Sequence, residues 1–233
     1  MRAGIVVLVA VAAALMASLP VGWFARRAPG YSHLRDTISE LGAPGMPDAG
    51  KVAWLAFAPL GALVLLYAVG LRQALGADEG SVPAALLALV GASYLGAAIF
   101  PCDRGAPFGG SVRNRIHNLL GGFGYFGGGA ALVEFARRFA DSGELHALAV
   151  VSRPLGIAVL FGLAVMSYPS PLRGLVQRVV EAILFGWMLA AAGLWRMATP
   201  GVPQAAGGPA TTAVFVLLAA AGALLTWRGY RRL

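Results

Sequence analysis

"GIVVLVAVAAALMASLPVGWF", residues 4–24, decides the class of this chain. It carries no charged side chain and is long enough for a helix to cross the hydrocarbon core of a bilayer, which takes about 17 to 25 residues. A secretory signal is the competing reading. Such a signal has an apolar core of only about 7 to 15 residues and a small-x-small cleavage site, whereas this run continues into Gly22-Trp23-Phe24-Ala25-Arg26-Arg27. It reads as a retained membrane span.

Working outward, comparable apolar runs recur at 52–74, 83–100, 116–139, 147–168, 176–197 and 210–228. The composition agrees. Hydrophobic residues make up 58% of the chain and charged ones 12%, against roughly 25% charged in a soluble domain, and the mean hydropathy is +0.74. The expected fold is an all-α transmembrane bundle of seven spans, forming a single integral membrane domain over residues 1–233. Pro59 inside the second run and Pro154 near the start of the fifth each remove a backbone donor, so six spans with one re-entrant segment is the alternative. The longest polar interval, about 27 residues between the first two runs, is too short for a soluble domain. No internal repeat supports a carrier built from inverted repeats.

With seven spans, one face receives Arg2, Arg72, Arg137, Arg138, Arg153 and Arg196. The other receives Arg26, Arg27, Arg35, Lys51, Arg104, Arg113, Arg115, Arg173, Arg178, Arg228, Arg231 and Arg232. Basic residues are enriched on the cytoplasmic side, which puts the second face and the C-terminus in the cytoplasm and the N-terminus outside the plasma membrane. Trp23, Trp54, Trp195 and Trp227 fall at span ends, where amphipathic rings settle among headgroups. The net charge of +8 reads as attraction to anionic lipid, and no motif points to nucleic acid. Cys102 is the sole cysteine, which excludes an intrachain disulfide.

Ionisable residues gather on that same second face. In "RDTISELG", residues 35–42, Thr37-Ile38-Ser39-Glu40 has the form of a capping box, with Glu40 reaching back to the Thr37 N–H and Gly42 as a stop. In "PCDRGAPFGGSVRNRIHN", residues 101–118, Ser111 is placed to cap the fourth span and His117 falls in its first two turns. Asp103 and His117 form either a carboxylate–imidazole pair for acid–base work, with Glu40 as an orienting carboxylate, or separate structural contacts, Asp103 to Arg104, Arg113 or Arg115 and His117 to a loop carbonyl. His33 would complete a zinc-like ligand set with His117 and Asp103, although none of these residues has the tight spacing of a strong metal motif.

In the sixth span Gln177 and Glu181, four apart, share one helical side. A carboxylate about a turn inside a membrane is costly and faces the bundle interior or water. Glu134 should pair with Arg137 or Arg138. In "GGFGYFGGGA", residues 121–130, the glycines at 121, 124 and 128 have the small-residue spacing of close helix packing.

"TISELG" after the first span, "FPCD" closing the third, a histidine opening the fourth and "GLVQRVVEAILFGWM" in the sixth together resemble the bacterial membrane family known as domain of unknown function 998. That family is similar to the broader group of Frag1, DRAM and Sfk1 membrane proteins. The resemblance covers about residues 5–200, sets Ser39, Glu40, Asp103, His117, Gln177 and Arg178 as landmarks, and implies a bundle of six or seven spans. It brings no reaction with it.

Three functions fit the sequence. One is a lipid-organising or membrane-sensing protein that binds anionic headgroups through Ser39, Arg104, Arg113, Arg115, Gln177, Arg178 and Glu181. Another is an intramembrane lipid hydrolase or transferase using His117 with Asp103 or Glu40. The last is a small-solute or ion carrier built on Glu181.

Overall fold

The computed structural model of the protein describes residues 3–198. Within them, six helices are long and apolar enough to cross a membrane: α1 (Ala3–Arg27), α2 (Ala49–Leu75), α3 (Ala77–Ile99), α4 (Val112–Phe139), α5 (His146–Met166) and α6 (Arg173–Ala198). They match the first six expected spans. The expected seventh, 210–228, lies outside the described residues.

Neither doubtful proline breaks a span. Ahead of Pro59 the helix widens into a π-turn over Ala53–Phe57, in which the Ala58 N–H reaches back to the Ala53 carbonyl. Such a bulge absorbs the register lost where proline offers no N–H. Pro154 sits inside an unbroken α5. α3 begins six residues ahead of its expected start at 83 and carries Pro83 inside its second turn.

Each helix packs on its neighbours in sequence, and α6 closes the ring against α1. The centre holds Tyr67, Leu87, Leu132, Phe135, Val159, Leu184 and Met188, all almost fully buried. A second cluster lies at the end of the bundle where the chain leaves α1. There the short 3₁₀ turn Ile38–Gly42 buries Ile38 and Leu41 against Val21, Val52, Phe57 and Ala98. The first loop therefore folds down as a plug.

Lipid tails are as apolar as leucine, so close packing rather than water exclusion joins helices in a membrane. Glycine provides it here through two reciprocal pairs. A Cβ on Gly61 would stand 2.7 Å from the Gly91 carbonyl oxygen, and one on Gly91 would stand 2.8 Å from the Gly61 oxygen, which fixes α2 on α3. Gly129 and Gly156 do the same for α4 and α5, at 2.9 and 2.6 Å. In the glycine-rich stretch, Gly124, Gly127 and Gly128 also meet neighbouring helices, but Gly121 faces open space. The expected 121/124/128 spacing is thus realised at two of its three positions.

Gly156→Ala should lower stability by about 1–3 kcal/mol through overpacking against a backbone that cannot retreat. Gly186→Ala, at a position with nothing within 4 Å, should leave it unchanged or slightly higher. Thermal unfolding in nanodiscs compares the two, and equal midpoints would remove the glycine contact as the basis of the α4–α5 seam.

Candidate polar site at one membrane face

The first turn of α6 receives the backbone of the loop that follows α1. The Gly174 N–H donates to the Arg35 carbonyl at 3.3 Å and the Leu175 N–H to the Leu34 carbonyl at 2.9 Å. Arg178, one turn on, donates through Nη1 to the carbonyls of His33 (2.9 Å), Asp36 (3.1 Å) and Gly174 (2.8 Å), and through Nη2 to the Tyr31 hydroxyl at 2.6 Å. Tyr31 passes its own proton to the Thr37 carbonyl at 3.0 Å. Carbonyl oxygens thus converge on a helix N-terminus, whose free N–H groups and positive dipole end suit them. A Cβ at position 174 would collide with the Asp36, His33 and Leu34 oxygens, so only glycine fits.

The "TISELG" turn is held at both ends of Glu40. Its Oε1 accepts the Thr37 N–H at 2.9 Å and the Thr37 hydroxyl at 3.1 Å, forming the expected box. Its Oε2 accepts the Gly105 N–H at 2.9 Å from the loop between α3 and α4. One carboxylate thereby ties two loops together. The Ile38 N–H, which the turn leaves without a backbone partner, donates to Gln177 Oε1 at 2.7 Å. Behind it the Gln177 amide donates to the Tyr125 hydroxyl at 2.7 Å, and Tyr125 donates to Glu181 Oε1 at 2.9 Å. Glu181, 5% exposed, lies at the inner end of this chain, with Tyr94 of α3 nearby.

The loop between α3 and α4 is closed upon itself. Asp103 Oδ2 accepts the Ser111 N–H at 2.8 Å, and its Oδ1 accepts the Ser111 hydroxyl at 2.9 Å and Arg113 Nη2 at 3.1 Å. Ser111 caps α4 by accepting the Asn114 N–H at 3.2 Å. Asn114, fully buried, gives its amide protons to the Pro107 and Gly109 carbonyls and accepts the Asp103 N–H at 2.9 Å. Arg173 adds a bond from α6 to the Ala106 carbonyl at 2.9 Å. This holds Ala106 at φ 40, in the left-handed region that costs a residue with a Cβ about 1–2 kcal/mol. His117 Nδ1 bonds the Phe100 carbonyl at 2.9 Å.

Of the expected acid–base set, Glu40, Asp103 and His117 stand around the same two loops, but each is taken up by a separate structural contact. Asp103 and His117 do not bond one another; the pairings are Asp103 with Arg113 and His117 with a loop carbonyl. His33, His117 and Asp103 do not assemble either: among the described residues no group of three or more His, Cys, Asp or Glu could hold a metal ion. Of the expected ligand-binding set, Gln177, Arg178, Glu181 and Arg113 face inward into the contacts above. Ser39 is half-buried, while Arg104 and Arg115 are exposed and make no ion pair among the described residues. On the opposite face Glu134 accepts from both Arg137 and Arg138, as expected.

Sequence reasoning missed Tyr31, Asn114 and Tyr125. Asn114 was open to detection as a polar residue three positions after a capping serine, where a buried amide can serve a loop. Tyr125 is hidden among glycines, and no local pattern gives its partner 56 residues away.

The electrostatics of the loops follow from burial. Burial pushes the Tyr31 hydroxyl up to about 12, with Arg178 opposing. It pushes the Cys102 thiol up to about 12 as well, so this cysteine is unreactive. Backbone and side-chain hydrogen bonds from Ser111, then Arg113, hold the Asp103 carboxyl below its ordinary range. Burial, and then the charges of Arg178 and Arg26, bring His33 down to about 4. Its ring is therefore neutral in the folded loop, and protonation would set a third positive charge beside two arginines.

Two consequences are measurable. A histidine whose folded value lies below its unfolded 6.5 contributes stability that is complete above 6.5 and lost as pH falls toward about 4. Hydrogen-exchange protection factors over residues 31–42, which remove the intrinsic pH dependence of exchange, should fall as pH drops through that window, and His33→Asn should flatten the change; pH-independent protection in the unaltered protein would contradict it. Gln177→Leu strands the Ile38 N–H and should cost about 1–3 kcal/mol, read as a lower thermal midpoint.

The family described as a protein of unknown function, DUF998, matches residues 8–194. No curated protein and no solved structure matches the chain.

Proposed function

The chain belongs to the DUF998 family, and from that premise, a multi-span membrane protein, we propose that it binds anionic lipid headgroups at the face carrying the polar loops and acts in organising or sensing the membrane. One observation carries the reading. Of the basic residues on this face, Arg27 and Lys51 are paired with Asp48, Arg35 with Asp36 and Arg113 with Asp103, and Arg173 and Arg178 serve backbone carbonyls. Arg26, Arg104 and Arg115 are left exposed without an ion pair among the described residues, and between the last two in sequence lies Phe108, 78% exposed.

An exposed apolar ring and exposed guanidinium groups within one short loop and the helix start that follows it suit the boundary between headgroup and acyl chain. The guanidinium fork matches phosphate oxygens, and the ring enters the interface as aromatic belts do. Trp23, 61% exposed at the same end of α1, extends that belt. The excess of basic residues favours the cytoplasmic leaflet of the plasma membrane for this face. Binding is favoured over catalysis because Glu40, Asp103 and His117, the groups a reaction would use, are each engaged in holding the loops.

Each basic side chain at an anionic surface contributes about 1 kcal/mol. Arg104→Ala combined with Arg115→Ala should therefore weaken retention of phosphatidylglycerol roughly 30-fold with an unchanged thermal midpoint. Arg113→Ala should instead lower the midpoint. Native mass spectrometry against phosphatidylcholine reads the first effect; equal retention of both lipids by the unaltered protein, or full retention by the double variant, would sink the proposal.

A further inference from the structure

At the end of the bundle away from the polar loops lies a cavity of about 310 Å³. Five of the six helices contribute to it: Val6 from the start of α1, Tyr67 and Leu71 from α2, Phe135 from α4, Leu148 from the start of α5 and Ala192 from α6. Trp195 and Glu144 complete the lining. Its volume falls at the lower end of the range for small-molecule sites, about 300–1,000 Å³. The site reading above does not use it.

Its chemistry is specific. Three aromatic residues, Tyr67, Phe135 and Trp195, share the lining with a single acidic side chain, that of Glu144. Tyr67 and Phe135 are almost fully buried and form the deep wall, whereas Glu144 is exposed and makes no ion pair among the described residues. Among the described basic residues of this end, Arg72 donates to the Ser81 hydroxyl, Arg137 and Arg138 are held by Glu134 and Glu79, and Arg153 stands exposed on α5 without pairing with Glu144. Aromatic faces attract cations, with quaternary ammonium groups the best-known guests of such cages. An unpaired carboxylate at the rim adds to that attraction and repels an anion. A neutral hydrocarbon would gain nothing from it.

We propose that this cavity binds a lipophilic ammonium ion, its hydrocarbon part against Tyr67 and Phe135 and its charged nitrogen at the rim with Glu144. The ligand class is a single apolar group bearing one amine or quaternary ammonium. It enters from the face opposite the one that binds anionic headgroups, so the two sites act on different molecules.

The test uses the full chain in phosphatidylcholine nanodiscs, with octyltrimethylammonium as the probe and octyl sulfate as its anionic counterpart. Calorimetry, corrected for empty nanodiscs, should show saturable one-to-one binding of the cation and none of the sulfate. Glu144→Gln, an exposed substitution that leaves the fold intact, should weaken the cation tenfold or more. Ala192→Phe, which fills the cavity, should abolish binding while its thermal midpoint reports whether it is folded. Saturable binding of octyl sulfate equal to that of the cation, an unchanged affinity in Glu144→Gln, or no saturable binding by the unaltered protein would each overturn the proposal.

Discussion

The contact on which the loop face depends is the meeting of the loop after α1 with the first turn of α6, and it exists because residue 174 has no side chain. The oxygens of Asp36, His33 and Leu34 occupy the space a Cβ would need. That proximity brings the Arg178 guanidinium within reach of two loop carbonyls and Gln177 within reach of the Ile38 N–H. From the docked turn, Glu40 then reaches the Gly105 N–H. A side chain at position 174 would push the loop away from Arg178 and Gln177 and so weaken their bonds to it together.

Placement at a membrane boundary explains why so many polar side chains are engaged in the protein itself. Where water is scarce, an unpaired N–H or C=O costs several kcal/mol, and irregular backbone survives only if side chains take over its hydrogen bonds. Asn114, Gln177, Arg173 and Arg178 do this for two loops that have almost no regular structure. The residues that look most reactive in the sequence are therefore those that the architecture most needs. Conservative exchanges would not substitute here, since lysine cannot spread donors over three carbonyls and a tyrosine hydroxyl as Arg178 does.

Local signals in the sequence proved legible in the structure. The six spans follow from apolar runs long enough to cross a bilayer, and the cap at Ser111, the Thr37–Glu40 box and the Glu134 pairs follow from rules that act within four residues. Positions where proline falls near a helix start were harder, since Pro83 masks helix that begins before it. Side-chain partners across the bundle were not readable, because Ile38 and Gln177 are 139 residues apart and nothing local distinguishes Gln177 from a solvated glutamine. The same blindness hid the apolar cavity, whose walls come from five helices and whose acidic residue, Glu144, lies in a short turn that reads only as a connection.

The two ends of the bundle resolve their charges in opposite ways. At the loop end, carboxylates are drawn inward or paired, and Arg26, Arg104 and Arg115 remain exposed without an ion pair among the described residues. At the far end Arg137 and Arg138 are tied to Glu134 and Glu79, Arg153 stands exposed on α5, and a negative residue, Glu144, is left at the mouth of an apolar chamber. Surface charge alone would give the protein an orientation in the membrane. The difference lies in what backs each charge: at the loop end a closed network of hydrogen bonds stands behind the exposed arginines. At the other end the exposed carboxylate of Glu144 is backed by an open chamber lined by Tyr67, Phe135 and Trp195.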